Sequence, residues 1–433
     1  VYGQSGARKS YVIPAFEIIA FDGLLNIFDR IVLGDDYKSN AASIRRNLRS
    51  SWVVEDDPYE INQFGHPYQG SVYHGFARSS GLSFWASLGY TFAGSALWEI
   101  AGERTPPSRN DQIASGIAGA FLGESFFRIA NLILEQGDGE PGTRRSTSAA
   151  VVAPWHAFNR RVFGRRFDQI YSSNGAAYYR RFQIGAAGTT NKLQGAATRL
   201  QPNEAQLQVD LEYGLPGPSD YEYRRPFDHF VVHATASSAN GFESIMTRGL
   251  LVGERHDIGD DYRGVWGLYG SYDYIAPQIF RVSSTALSLG TTGQLSASDD
   301  IVLQGSGLIG AGFAAVGTIG GPRDDEYHYG IAPHALLSTR VIFGTRASID
   351  VTGREFFVSD VPATSTAGHD NIARVDAAVS VRIHGQRALS LKYLWSRRDA
   401  FYPELGRRKQ VRGTLGVFLT FLGHDRFGAV NWQ

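Results

Sequence analysis

The spacing of apolar residues changes once along this chain, from a helical period before residue 170 to alternation from residue 178 onward. Residues 11–33 place Ile13, Phe16, Ile19, Phe21, Leu24 and Phe28 at spacings that predict an amphipathic helix. A polar loop with Glu55, Asp56, Asp57, Pro58 and Tyr59 follows. Two long apolar segments come next, at 82–102 and 111–135. Pro106 and Pro107 end the first, and Ser108 or Asn110 can cap the second, so the pair predicts a helical hairpin over 82–135. Ser115, Gly119 and Gly123 recur every fourth residue on the second helix, a stripe that permits close backbone contact. Both segments reach membrane-spanning length. Glu99, Glu103 and Glu124 interrupt them, so burial against protein is expected rather than contact with lipid. Residues 137–149 read as an exposed linker and 154–171 as a short basic helix.

Beyond Tyr178 the period is two. Leu207, Val209, Leu211 and Tyr213 alternate with Gln206, Gln208, Asp210 and Glu212. Val375, Val379, Val381 and Ile383 alternate with Arg374, Asp376, Ser380 and Arg382. Leu389, Leu391, Tyr393 and Trp395 repeat the pattern, as do Leu415, Val417, Leu419 and Phe421. About 12 such strands fit between 178 and 423. Gly344-Thr345 and His384-Gly385-Gln386 read as tight turns, and 320–326, 359–370 and 401–409 as longer loops. A soluble sandwich also alternates. The strands here are about twice the usual globular length, and aromatics such as Tyr178, Tyr213, Phe343 and Phe401 sit near their ends. Long strands with aromatic girdles favour a transmembrane barrel, apolar face to lipid and charged face to the lumen. Asn431-Trp432-Gln433 lies about ten residues past the last alternation, unlike the terminal aromatic that closes many such barrels.

The expected fold is therefore an α+β membrane protein: an N-terminal α-helical domain at 1–170, acting as periplasmic cap or barrel plug, and an antiparallel transmembrane β-barrel at 171–433. Composition fits this. Lys plus Arg and Asp plus Glu are both 42, so no basic field points to nucleic acid. Cysteine is absent, which excludes disulfides and thiolate metal sites. Glycine is abundant, at 50 residues, as in turn-rich β proteins. Val1 opens no charged and apolar leader, so any secretory signal is expected to have been removed.

Two polar stretches are distinctive. One is Ile61-Asn62-Gln63-Phe64-Gly65-His66-Pro67-Tyr68-Gln69-Gly70, continued by Tyr73-His74-Gly75-Phe76-Ala77-Arg78. The other is Trp98-Glu99-Ile100-Ala101-Gly102-Glu103 with Pro106-Pro107-Ser108-Arg109-Asn110-Asp111. Over about Ser10 to Glu135 this resembles the bacterial family catalogued as domain of unknown function 3943. The resemblance implies a cell-envelope protein and supplies no activity, cofactor or catalytic residue.

The candidate chemistry is gathered in those stretches. Glu99 and Glu103 share a helix face, and such a pair repels unless something offsets it. His66, Glu99 and Glu103 are the candidate catalytic residues, as a buried acid/base or metal site reaching to Glu124. The preferred reading is a satisfied polar network of these with Asn62, Gln69, His74, Asn110, Asp111 and Glu124. No His-Glu-x-x-His spacing occurs, and no metal or cofactor is assigned. His233, with Thr235 and Ser237, is a weaker pairing; its phase puts Phe230, Val232, Ala234 and Ala236 toward lipid and His233 in the lumen. Arg160, Arg161, Arg165 and Arg166 are candidates for anionic lipid headgroups. The expected protein is a non-enzymatic outer-membrane component, assembly subunit or gated conduit, with its helices toward the periplasm. A lipid or glycolipid hydrolase using His66 and Glu99, or a small-solute channel, is the alternative. Its expected partners are outer-membrane lipids, lipopolysaccharide and other envelope proteins.

Overall fold

The computed structural model describes residues 9–55, 57–137, 141–193, 203–217, 220–317, 327–360, 368–403, 406–423 and 425–432. The chain forms two compact units, Val1–Gly175 and Ala176–Gln433. Asp56, the loop foreseen at 320–326 and most of that at 359–370 lie outside the described residues.

The first unit is helical: α1 (Val12–Val32), α2 (Ala41–Asn47), α3 (His66–Ser79), α4 (Phe84–Leu97), α5 (Arg109–Ile113), α6 (Gly119–Glu135), α7 (Thr143–Val152) and α8 (Pro154–Phe163). Three widened π-helical turns interrupt it: Ile61–Gly65 leads into α3, Trp98–Gly102 extends α4, and Ala114–Ala118 joins α5 to α6. Ser83 and Ser108 cap α4 and α5 through their hydroxyl oxygens. Helix α3 is the centre; all its residues except Tyr68 are buried. It meets α6 nearly backbone to backbone. A Cβ on Gly119 would lie 2.6 Å from Gly70 Cα, and one on Gly123 would lie 2.8 Å from Ser71 O. The segment Arg109–Glu135 is apolar and long enough to cross a membrane, but 78% of its most apolar window is buried inside this unit.

Helix α1 is turned opposite to an ordinary surface helix. It buries Asp22, Asn26 and Asp29, while Phe16, Leu24 and Ile31 are 67%, 68% and 79% exposed. Helix α4 does likewise, burying Ser87, Thr91 and Ser95 and exposing Trp85. The helical period was readable from the sequence; the direction of the apolar face was not, because polar partners inside the unit claim the other side.

The second unit is a closed, all-antiparallel barrel of 12 strands. They are β1 (Tyr178–Leu193), β2 (Asn203–Tyr213), β3 (Phe230–Ser237), β4 (Gly241–Ile258), β5 (Tyr262–Ile275), β6 (Arg281–Ser298), β7 (Ile301–Gly317), β8 (Tyr327–Phe343), β9 (Ala347–Asp360), β10 (His369–His384), β11 (Arg387–Tyr402) and β12 (Gly406–Leu422). The seam pairs β1 with β12, Phe182 opposite Phe421 and Ile184 opposite Leu419, so no ladder edge is left for lipid to leave unsatisfied. Turns of two or three residues join β4–β5, β6–β7, β8–β9 and β10–β11 at one end, the short-turn end, although the β2–β3 connection there is long. Gly344 and Gly385 make two of them possible by taking φ of +52° and +51°. The start of β1 and the end of β12 lie at that same end. At the other end β3–β4 and β11–β12 are joined by three residues, and the remaining connections are longer. Strands β11 and β12 run farther than the foreseen loop at 401–409, leaving only 403–405 between them.

Outward positions are apolar and exposed, among them Ile184, Val209, Leu289, Ile309, Leu337, Val381 and Val417. Phe230 keeps the expected outward phase, since Val231 and His233 line the interior, but it is covered rather than exposed. It is fully buried, stacked on Tyr213 at 5.0 Å and packed beneath Phe227 of the β2–β3 connection.

Candidate functional site

The barrel interior is ionic in the middle, with an apolar cluster at each end and, at the end of the β5–β6 connection, buried pairs of Arg412 with Glu204 (2.9 Å) and Arg398 with Asp370 (2.6 Å). Arg340 on β8 donates to Glu212 on β2 (3.2 Å) and to Asp350 on β9 (2.7 Å). Arg181 on β1 pairs with Asp210 (2.8 Å) and Asp350 (3.3 Å), and Arg354 on β9 with Asp273 on β5 (2.7 Å). Several of these pairs join strands that are not neighbours in the sheet, so they cross the lumen rather than run along its wall. A cavity of about 130 Å³ remains among them. His233 lies here too. Its Nδ1 is 2.5 Å from Asp210 Oδ1 and its Nε2 is 3.0 Å from Thr235 Oγ1. That order suits a base beside a hydroxyl, but Asp210 is shared with Arg181 and Thr235 is 4% exposed.

At the short-turn end, Phe427 and Ala429 pack with Val302, Ile342 and Leu422. Gln304 donates to Gly428 O (2.8 Å) and Gln294 to Val430 O (2.7 Å), fastening the residues after β12 inside. At the other end, Ile279 and Phe280 from the β5–β6 connection pack with Met246, Phe356 and Val358. Arg412 and Gln410 hold that connection through Pro277 O (3.0 Å) and Ile279 O (2.6 Å).

In the helical unit the polar residues singled out by sequence fall into separate groups. Gln69 donates to the Tyr73 hydroxyl (2.6 Å), which donates to Asp22. Burial pushes the Asp22 carboxyl up to about 8. Glu124 lies elsewhere, with Arg78 (2.6 Å), Arg128 (2.9 Å) and His74 (3.2 Å) around it. Burial opposes its charge, yet Arg78 beside it holds the carboxyl well below the usual range. The rings of Phe127 and Tyr171 lie under the Arg78 guanidinium, and Tyr171 also lies under that of Arg128.

The third group joins His66, Glu99, Glu103 and Asp111 with Glu55, a residue that no spacing in the sequence pointed to. The backbone brings Glu55 in. Val53 N donates to Pro107 O and Arg109 N to Val53 O, and Asn110 Oδ1 then accepts from Glu55 N at 2.9 Å. The π-helical turn over Trp98–Gly102 carries Glu99, and His66 follows the turn at Ile61–Gly65. Such turns re-aim side chains and recur at functional sites. Ser108 N donates to Glu99 Oε2 (2.8 Å), and Trp98 Nε1 donates to Glu103 Oε1 (2.6 Å). His66 Nε2 is 3.9 Å from Asp111 Oδ2, and its Nδ1 is 3.3 Å from Ser115 Oγ. Two carboxylates ~5 Å apart repel by about 3 kcal/mol at an effective dielectric of ~20. Burial, then the charges of Asp111 and Glu103, hold Glu99 well above the usual carboxylate range. Burial and Glu103 push Glu55 up to about 10, and burial pushes Glu103 up to about 7. Asn62 is buried in the turn before His66.

Arg161, Arg165 and Arg166 are exposed on and just after α8, next to exposed Phe158 and Val162, while Arg160 donates to Asp168 O.

A closed antiparallel sheet, apolar outside and ion-paired inside, defines an outer-membrane β-barrel fold. Residues 51–155, in the unit that precedes the barrel, match the family model described as Domain of unknown function (DUF3943). No curated protein matches the chain. Among solved structures it is similar to a mutant of the TodX monoaromatic hydrocarbon channel, at 8% identity over 58% of this chain and 90% of that one, TM-score 0.25. It is also similar to the outer membrane channel DcaP of Acinetobacter baumannii, at 7% identity over 57% and 96%, TM-score 0.27. The anion-selective porin from Comamonas acidovorans is a further likeness, at 9% identity over 57% and 99%, TM-score 0.22.

Proposed function

We propose that this protein is a non-conducting outer-membrane anchor, a barrel closed by its own side chains that carries a helical unit at the periplasmic surface. One observation carries the reading: ion pairs and side-chain-to-backbone bonds span the lumen, Arg340 to Glu212 foremost. Twelve strands make a narrow barrel, and the paired side chains cross it around a cavity of about 130 Å³. Short turns conventionally face the periplasm, and the helical unit enters β1 at the short-turn end. In this reading the apolar outer face of α1, with exposed Arg30 in its last turn, and the exposed Arg161, Arg165 and Arg166 rest on the inner leaflet and its anionic headgroups.

Planar-bilayer recording on the purified protein tests the first part. The expected trace is flat at all applied voltages. A steady conductance supports the small-solute channel instead, and voltage-dependent opening supports a gated conduit.

A further inference from the structure

Glu99 Oε1 and Asp111 Oδ2 have no hydrogen-bond partner, although each side chain is only 1% exposed. The sister oxygens are engaged, Glu99 Oε2 by Ser108 N and Asp111 Oδ1 by Asn110 Nδ2 at 3.1 Å. Each carboxylate is thus oriented by one oxygen and offers the other. Buried oxygens of this kind are costly to leave unmatched. A ligand atom from each of His66, Glu99 and Asp111 lies within 4.8 Å of the other two. Glu55, Glu99 and Glu103 form a second such set, sharing Glu99.

The same unit shows how it treats a carboxylate meant to be matched by protein. Glu124 receives two arginines. Among the described residues, Glu55, Glu99, Glu103 and Asp111 have no lysine or arginine within ion-pair distance, and histidine is the basic group beside them. Four carboxyl groups face one imidazole, and a cation of charge two would take the place of the protons that burial and mutual repulsion otherwise keep within the group. The histidine is also set up for coordination. With Ser115 Oγ at Nδ1, the lone pair of Nε2 is free to point at the carboxylates, the arrangement that fixes the tautomer of a metal-bound histidine. Metal bonds of ~2.0–2.2 Å place neighbouring donors about 3–4 Å apart, so the observed spacing needs only a small contraction.

We propose that His66, Glu99 and Asp111 bind one divalent first-row transition-metal ion, with Glu55 and Glu103 completing its surroundings. The imidazole selects zinc, manganese or ferrous ion over calcium or magnesium, which take oxygen ligands. The ion ties the segment at 53–55, the start of α3, the end of α4 and α5 into one body. This goes beyond the anchor reading and does not depend on it.

The test uses the full chain in detergent, without a polyhistidine tag, stripped by chelator and titrated separately with Zn²⁺ and Mn²⁺. Calorimetry is expected to show one tight site for at least one of them. Glu99→Gln and His66→Gln, close in size to the originals, are expected to weaken that site at least about 100-fold. Far-UV circular dichroism and metal-free melting of Glu99→Gln, matching or exceeding those of the original chain, show that the fold survives. Equal binding by the original chain and both variants, or no site for either ion, overturns the proposal.

Discussion

Arg340 Nη1 stands 3.2 Å from Glu212 Oε2, linking β8 to β2 across the full ring of strands. Arg340 also holds Asp350, and Asp350 holds Arg181, so one guanidinium governs a chain of charges. Arg340→Ala leaves Glu212 and Asp350 short of a partner. Because these groups keep some contact with solvent, the expected loss is about 1–3 kcal/mol, below that for a fully buried pair. Denaturant unfolding in detergent reads it. A double-mutant cycle with Glu212→Gln should return a coupling of at least about 1 kcal/mol; additive single effects would show that the contact does not close the lumen.

Glu124→Gln is expected to be the most damaging single change in the helical unit. It strands Arg78 and Arg128, both buried, without their shared anion. Breaking one partner of a buried ionic group costs about 3–5 kcal/mol. Protease susceptibility of the helical unit should rise sharply, and a variant as resistant as the original chain would contradict the account.

Asp22 gives the helical unit a pH dependence of definite sign. Its carboxyl is raised by burial to about 8, above its ordinary unfolded value, so the folded form holds a proton that the unfolded form has released. The stability it contributes is complete below about pH 4 and declines as pH rises toward 8. Asp22→Asn should flatten that slope and stabilise the unit at pH 8. Thermal melts at pH 5 and pH 8 decide; an unchanged slope counts against Asp22 as its source.

Gly119→Ala tests the contact between α3 and α6. The added Cβ meets backbone atoms of Gly70, which cannot rotate away. Overpacking of this kind costs about 1–3 kcal/mol. Gly89→Ala on α4, where a Cβ meets nothing within 4 Å, is the control and should be neutral or slightly stabilising. Comparable melting temperatures for the two variants would refute the close approach.

Much of the barrel was legible because lipid leaves a simple rule: every second residue apolar, over spans longer than a soluble strand needs. Val379, Val381, Leu389 and Leu391 declared their face without help from the rest of the chain. The residues that fill the interior did not. Phe427 lies in the segment after β12 and Phe280 in the β5–β6 connection, and nothing in their neighbours' spacing says that they turn inward. The polar residues of the helical unit were visible as a set, but their grouping was not. Glu124 parts from His66 because Arg78 and Arg128 claim it, a fact of three-dimensional proximity. Glu55 entered only through the backbone bridge at Val53.

The inverted polarity of α1 bears on how this chain is made. A helix that keeps its acids indoors and its phenylalanines outdoors is safe only once something oily covers it. On the way from synthesis to its final place, that stripe is as sticky as an unfolded segment. Holdase protection is then needed for the helices as well as for the strands, and the helical half released alone into water should clump.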